Sequence, residues 1–488
     1  MNFRAVTYTL AHLAIIVGLC LIAPLVVSII YFGDHPSGVW IWEIVGFSIP
    51  MALCLGAGLF FHHRYQSHSE LGRREGFAVV TFSWLLLTLV GMMPYLISGA
   101  TASVTDAFFE TMSGFTTTGA SVFPSVEIIP HGVQFWRCMT QWMGGMGIVV
   151  LSVALLSFLG VGGYRLLKAE TPGGVTFERE KPRIAETAKN LWKLYVLISA
   201  AELILLKLSG MTLYDAFCHT FTTMSTGGFS NHSESINYFT NPWTQWIIIF
   251  FMFAAGVNFS LYTQLFRLRP RPMLRNPEFR LYAAITAVVV LAGVFIVPMN
   301  GKGVEHHVRD IVFTAVSIGT TTGYATADYD QWPQLMRLIM LLLMFVGGSM
   351  GSTGGGMKVA RILVYAKASA RELHRLIYPN AIRPIRVGEK VLDPKIVSNI
   401  MAFGSIFAAL FVFGTIVMVA CGYDLVSSAS ASVAALSNIG PGLGVFGPSN
   451  NWAHLPDVAK WIMSLLMLLG RLELFSVLIL CTSWAWRR

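Results

Sequence analysis

This sequence is short of charge. Only 12% of its 488 residues are Asp, Glu, Lys or Arg, and 55% are apolar. An ordinary soluble domain carries roughly twice that charge, so a water-soluble globule is excluded. Long hydrophilic stretches are missing as well. The longest, about 358–396, is too short for a domain of its own. The six cysteines (Cys20, Cys54, Cys138, Cys218, Cys421 and Cys481) are scattered and form no CxxC. That excludes a disulfide framework or a thiolate metal site and leaves them as small buried hydrophobes. Finally, the stretches 99–133, 209–243 and 422–457 contain no Lys or Arg.

What the chain does have is apolar runs. Ten of them, near 5–32, 40–62, 76–98, 134–160, 186–208, 240–266, 279–298, 333–357, 397–421 and 458–485, approach or exceed the roughly 20 residues that span a bilayer. The first is too long, and lacks a small-residue cleavage site, to be a simple signal peptide. The net charge of +9 gathers in alternate connections. Arg64, Arg73 and Arg74 lie in one; Arg165, Lys168, Arg179, Lys181, Arg183 and Lys189 in the next; Arg267, Arg269, Arg271, Arg275 and Arg280 follow. Lys358, Arg361, Lys367, Arg371, Arg375, Arg383, Arg386, Lys390 and Lys395 fill the largest. Only Lys302 and Arg309 break the pattern. By the positive-inside rule these connections and both termini are cytoplasmic. Topology alone accounts for the charge, without a nucleic-acid partner; contact with membrane lipid is the alternative.

One phrase then recurs. Asp106-Ala107-Phe108 leads to Thr117-Thr118-Gly119, Asp215-Ala216-Phe217 to Thr226-Gly227-Gly228, and Asp310 to Thr321-Thr322-Gly323. Each Asp precedes its Gly by 13 residues. A looser fourth copy ends in Asn438-Ile439-Gly440 and lacks that interval. The pattern predicts four parallel units, each a span, a short helix, a glycine loop and a second span. Asp106, Asp215 and Asp310 sit where helix N-caps belong. Each short helix, about half a bilayer long, would then point the partial negative charge of its C-terminus at the glycine loop. Irregular backbone at membrane depth is tolerated only when buried or lining water. The plain alternative, an ordinary outer turn with Gly for its positive φ, suits one such loop better than three at matched spacing.

Carbonyl oxygens around an axis replace the water of a monovalent cation without the deep trap of a carboxylate. The candidate donors are Thr117, Thr118 and Gly119; Thr226, Gly227 and Gly228; Thr321, Thr322 and Gly323; and Asn438, Ile439 and Gly440. No Asp or Glu ring lies among them, which speaks against a divalent-cation channel. Below them, Gly347-Gly348-Ser349-Met350-Gly351-Ser352-Thr353-Gly354-Gly355-Gly356 interrupts a span. A lipid-facing helix does not tolerate so many glycines, at about 1 kcal/mol each. The segment reads as an unwound loop, with a kink or close small-residue packing as the alternative. Arg471 and Glu473 interrupt the last span and should face the interior; a structural ion pair is the plain reading. Asn258 and Ser260 are candidates for hydrogen bonds between helices. No Ser/His pair, paired Asp or metal cluster sits in facing spans, so an intramembrane enzyme is not indicated.

Jointly these stretches resemble the bacterial TrkH/TrkG/KtrB family of potassium-uptake proteins. The resemblance is carried by Asp106–Ser121, Gln141–Gly147, Asp215–Ser230, Gly347–Arg361, Asn438–Gly442 and Gly470–Phe475, and it covers essentially the whole chain. It implies an all-α polytopic membrane protein with four pseudo-fourfold M1-P-M2 repeats, potassium-channel-like, preceded by two extra transmembrane helices. The helices would occupy 1–70 and the repeats 71–168, 169–275, 276–375 and 376–488. It places the filter glycines at Gly119, Gly228, Gly323 and Gly440. Plant relatives with Ser in the first unit favour sodium, so Gly119 favours potassium. The resemblance makes 347–356 an intramembrane gating loop, Arg471 an electrostatic barrier in the pore and Glu473 its possible partner. It implies potassium as cargo, no enzyme activity and no cofactor in this chain. It also implies a homodimer in a bacterial inner membrane, under a cytoplasmic TrkA-type regulatory subunit that binds NAD or ATP. The alternative is a sodium- or proton-coupled potassium symporter. Glu43, Glu202 and Glu473 are the only obvious acids within the spans, which leaves a proton relay little to run on.

Overall fold

Where water is absent, a backbone must satisfy its own hydrogen bonds, and apolar runs of this length do so as helices. The computed structural model describes residues 1–33, 39–65, 72–159, 181–265, 269–299, 301, 303–381, 383–388 and 390–486. The expected boundaries at 70 and 168, and Arg165, Lys168, Arg179, Arg267 and Lys302, lie outside them. Helix occupies each of the ten apolar stretches. By length and composition alone, five of the described helical runs could cross a membrane: Phe3–Ile30, Ile41–Arg64, Arg74–Ile97, Pro277–Ile296 and Pro394–Ala420. Two bent pairs raise the number to seven. His131–Leu159 and Lys181–Leu208 are also long, at 29 and 28 residues. The only described strands form a two-residue antiparallel hairpin, Arg386–Val387 with Lys390–Val391.

The sequence points to one interruption, at Gly347–Gly356; the structure has that break and two sharp bends besides. Three of the segments are interrupted, each for a local reason. Pro242–Ala255 meets Phe259–Leu265 at 103°. At that corner the Asn258 carboxamide oxygen accepts hydrogen bonds from Ser260 N (2.9 Å) and Ser260 Oγ (2.7 Å). The two residues expected to bond between helices instead make a local turn, as Asn and Ser do where a helix restarts. Gln334–Val346 stops after 13 residues at Gly347, whose φ of 71° a helix cannot use. Asp457–Arg471 meets Phe475–Cys481 at 109°, because Glu473 and Leu474 both adopt φ 57°.

The leading helices dock on the helix His131–Leu159. Buried Glu43 accepts hydrogen bonds from the N–H groups of Gly132 (2.7 Å) and Val133 (3.2 Å), and a carboxylate at a helix N-terminus is favourable. The largest apolar cluster joins the first and last thirds of the chain through Phe109, Phe115, Trp136, Leu436 and Met467. All six cysteines are free; Cys481 is exposed, not buried.

Candidate functional site

Four short helices carry the repeated phrase: Val104–Phe115, Leu213–Met224, Val304–Gly319 and Leu425–Leu436. Their caps correct the sequence reading. Ser103 Oγ accepts from Asp106 N, and Thr212 Oγ1 from Asp215 N. The cap is therefore the hydroxyl three residues earlier, and each Asp sits at the third helical position, as in a capping box. The third helix starts further back, at Gly303, so Asp310 lies well inside it. The fourth is capped by Asp424, which accepts from Val426 N and Ser427 N. Measured from the cap, the fourth unit is in step with the first two. The intervals 103 to 119, 212 to 228 and 424 to 440 are all 16 residues.

After each helix the backbone repeats one conformation. Thr117, Thr226, Thr321 and Asn438 have φ of 53°, 53°, 62° and 57°. Two residues on, Gly119, Gly228, Gly323 and Gly440 have φ of 84°, 75°, 84° and 96°. Between them, the N–H of Thr118, Gly227, Thr322 and Ile439 donates back into the helix, to Ser113, Thr222, Ser317 and Ala434 O at 2.8–2.9 Å. Left-handed φ is unfavourable for Thr and strained without support, so four such residues in register form one motif used four times.

The four loops touch in order around one ring. A Cβ on Gly119 would overlap Gly227 O; one on Gly228 would overlap Thr322 O; one on Gly323 would overlap Ile439 O; and one on Gly440 would overlap Thr118 O. The contacts run from the first loop to the second, third and fourth, and return to the first. Only glycine lets adjacent backbones approach this closely. The C-termini of the four short helices end at the ring, where their partial negative charge favours a cation.

Below the ring, residues 347–358 link Val346 to the helix Val359–Ile377 without regular structure. The segment is fastened on several sides. Ser349 N donates to Gly256 O (2.8 Å) and Phe259 N to Gly351 O (3.1 Å). Met350 N donates to Glu278 Oε1 (2.5 Å) and Gly355 N to Thr321 Oγ1 (2.7 Å). A Cβ on Gly355 would overlap Ser437 O, so this stretch lies against the underside of the third and fourth loops. Gly347, Gly348, Ser349, Ser352, Thr353, Gly354 and Gly355 are buried; Gly351 and Gly356 are half-buried.

Arg471 is also buried. Its Nη1 donates to Thr353 O (2.7 Å) and its Nη2 to Gly144 O (3.2 Å), which ties the glycine segment to the helix His131–Leu159. Among the described residues no carboxylate pairs with it. Glu473, its expected partner, instead meets Arg361 Nη2 (2.7 Å) and Lys358 Nζ (3.7 Å). The two left-handed residues after the helix turn the Glu473 side chain away from Arg471. A buried guanidinium held only by carbonyls keeps its positive charge without a neutralising partner among the described residues.

Sequence reasoning missed several members of the site. Glu110 and Arg137 form a buried ion pair at 2.5 Å behind the first two loops. Glu110 also accepts from Val122 N (2.9 Å), and Arg137 donates to Ser230 O (2.8 Å). Lys460 meets Asp106 at 2.6 Å, linking the fourth unit to the first. Glu110 lies in the first short helix, outside the ten apolar stretches. Glu110 itself was visible as a lone acid four residues after Asp106. At the rim Glu127 is exposed, and the little burial it has raises its pKa. Hydrogen bonds from Ser233 Oγ and N and from Ser125 Oγ outweigh that and hold it at about 2.

Comparison with known proteins agrees over the full length. The family model TrkH, described as cation transport protein, matches residues 46–484. The Trk system potassium uptake proteins TrkH of Salmonella typhimurium and Escherichia coli are each 39% identical over 491 residues, with all of both chains covered. The crystal structure of the potassium transporter TrkH from Vibrio parahaemolyticus superimposes with a TM-score of 0.90 at 36% identity, again over both whole chains. These relatives are named as transporters, not enzymes. The chain belongs to the TrkH family of cation transport proteins.

Proposed function

We propose that this protein carries potassium across a bacterial inner membrane through a pore along the axis of the four glycine loops. In this reading the carbonyls of 117–119, 226–228, 321–323 and 438–440 form the selectivity filter. Four M1-P-M2 units surround it, and two further helices stand outside. The glycine segment 347–356 and the charge of Arg471 close the path beneath it. The basic connections and both termini face the cytoplasm, where a TrkA-type nucleotide-binding subunit would act on a dimer of this chain. Such a subunit opens the path only if it binds the open state more tightly than the closed one.

One observation carries the reading most of the way: the closed ring of glycine–carbonyl contacts made by four loops of one conformation. A structural subunit has no need of four matched loops in left-handed backbone, which is costly to hold. The relatives named as potassium uptake proteins support the choice of ion. The test is flux through purified protein in liposomes under opposing potassium and sodium gradients, wild type against Gly119→Ser. Potassium-preferring flux that loses its preference in the mutant supports the reading. A preference indifferent to Gly119 moves the ion path elsewhere.

A further inference from the structure

The second loop differs from the other three at its middle residue. Gly227 stands where they have Thr118, Thr322 and Ile439. In the first and third loops the Thr side chain folds back on the residue two before it. Thr118 Oγ1 lies 2.8 Å from Thr116 Oγ1, and Thr322 Oγ1 lies 2.7 Å from Thr320 Oγ1. Ile439 is fully buried. Gly227 has no side chain, yet the space is not empty. The volume a Cβ would take there is held by the carboxamide of Gln141, from the helix His131–Leu159.

That carboxamide is bonded at both ends. Gln141 Nε2 donates to Gly227 O (2.8 Å), and Gln141 Oε1 accepts from Phe229 N (3.0 Å). A backbone carbonyl only accepts and a backbone N–H only donates, so the two partners fix which way the amide points. Gln134 and Arg137, on the same helix face, both donate to Ser230 O, at 3.2 Å and 2.8 Å. The Arg137 guanidinium lies 3.7 Å above the Phe229 ring, and Glu110 neutralises it. One face of a helix from the first unit thus holds residues 227–230 of the second.

The held carbonyl belongs to the ring: Gly227 O is the atom that Gly119 packs against. Among the described residues, the corresponding oxygens of Thr118, Thr322 and Ile439 receive no side-chain N–H. One of four equivalent oxygens is therefore polarised and fixed in place by an amide donor. Discrimination between cations of different size depends on where the oxygens sit and how strong their field is. We propose that Gln141 is a specificity-determining residue, which sets the position of the Gly227 carbonyl and with it the preference for potassium over sodium. This rests on reading the ring as the ion filter.

The test measures potassium and sodium flux through the full-length protein in liposomes for wild type, Gln141→Met, Gly119→Ser and the double variant Gln141→Ala/Gly227→Thr. Methionine keeps the volume but removes the hydrogen bonds. Gln141→Met is expected to lower the potassium-to-sodium flux ratio about five- to tenfold, the size of one net hydrogen bond, with total flux retained. The double variant rebuilds the second loop in the pattern of the first and third. Gly227 is not in left-handed backbone, so Thr fits there, and the ratio should recover most of its value. A ratio unchanged in Gln141→Met while Gly119→Ser abolishes it overturns the role of Gln141 and leaves the filter reading standing. A ratio insensitive to both overturns the filter reading as well. As a second measurement, wild type is expected to melt higher in potassium than in sodium, and Gln141→Glu should lose that difference. A difference equal to wild type overturns the proposal, because a merely structural glutamine would lower the melting temperature equally in both salts.

Discussion

The ring and the layer beneath it are built from the same four chain segments by opposite rules. In the ring, four stretches adopt one backbone conformation, with hydrogen bonds at matching atoms and contacts at matching glycines. In the apolar stretch that follows each loop, every copy does something different. The first runs on as helix through Gly144; the second turns by 103°; the third unwinds over 347–358; the fourth turns by 109° after Arg471. Similar conformation is kept where four groups must act alike. Each copy is free to differ where no such matching is required.

The sharpest way to break this comparison is to attack the ring. Gly323→Ala puts a methyl into Ile439 O and Ala into φ 84°, a strain of roughly 1–3 kcal/mol before the overlap is counted. Potassium-selective flux in liposomes should fall more than tenfold, and wild-type flux would show that the ring is looser than drawn. The lower layer should respond in the opposite sense. Arg471→Ala removes the hydrogen bonds to Thr353 O and Gly144 O and the buried charge. Basal flux without any regulator should rise about tenfold, the scale of removing one charged hydrogen bond, with selectivity kept. Arg361→Ala leaves Glu473 with only the longer Lys358 contact, which should cost about 1–3 kcal/mol in thermal unfolding and raise basal flux less than Arg471→Ala.

Smaller effects test how far the four copies are equal. Ser103→Ala, Thr212→Ala and Asp424→Ala should each cost about 1 kcal/mol. Gly303 caps the third helix without a side chain and has open space around it, so Gly303→Ser should add a few tenths of a kcal/mol. Unequal costs among the three caps would weaken the case for one motif. The least effect is at the rim. Glu127 has its pKa lowered from 4.5 to about 2. The stability it contributes is present above its unfolded pKa and is lost as pH falls from about 4.5 towards 2. Glu127→Gln should flatten unfolding stability in that window and leave it unchanged at lower pH. Because Glu127 is exposed to solvent, the difference is small.

Much of this plan was legible in the sequence. Glycine after a Thr-rich phrase, repeated at one spacing, marks a backbone requirement that no side chain disguises. The caps were misread because Asp is itself a good cap, and only geometry separates it from the hydroxyl three residues earlier. Arg137 and Gln141 were passed over because they bond to residues of the second unit, and no local pattern announces a contact between residues 86 or more apart such as Gln141 with Gly227; Glu110 was passed over because its partner Arg137 is 27 residues away on another helix. Glu473 meets Arg361 and Lys358 in place of Arg471, its expected partner, and the left-handed backbone at 473 and 474 that turns it there has no signature in the sequence.

The ring's contacts are all head to tail: each loop offers its glycine to one neighbour and its carbonyl to the other. Separate subunits closing in this way would have four identical interfaces, and any residue placed behind one loop would stand behind all four. Carried on one polypeptide, the same closed ring has four interfaces that mutate independently. A glutamine can then brace one carbonyl and an arginine stand under one segment, with no threefold surplus of either to accommodate.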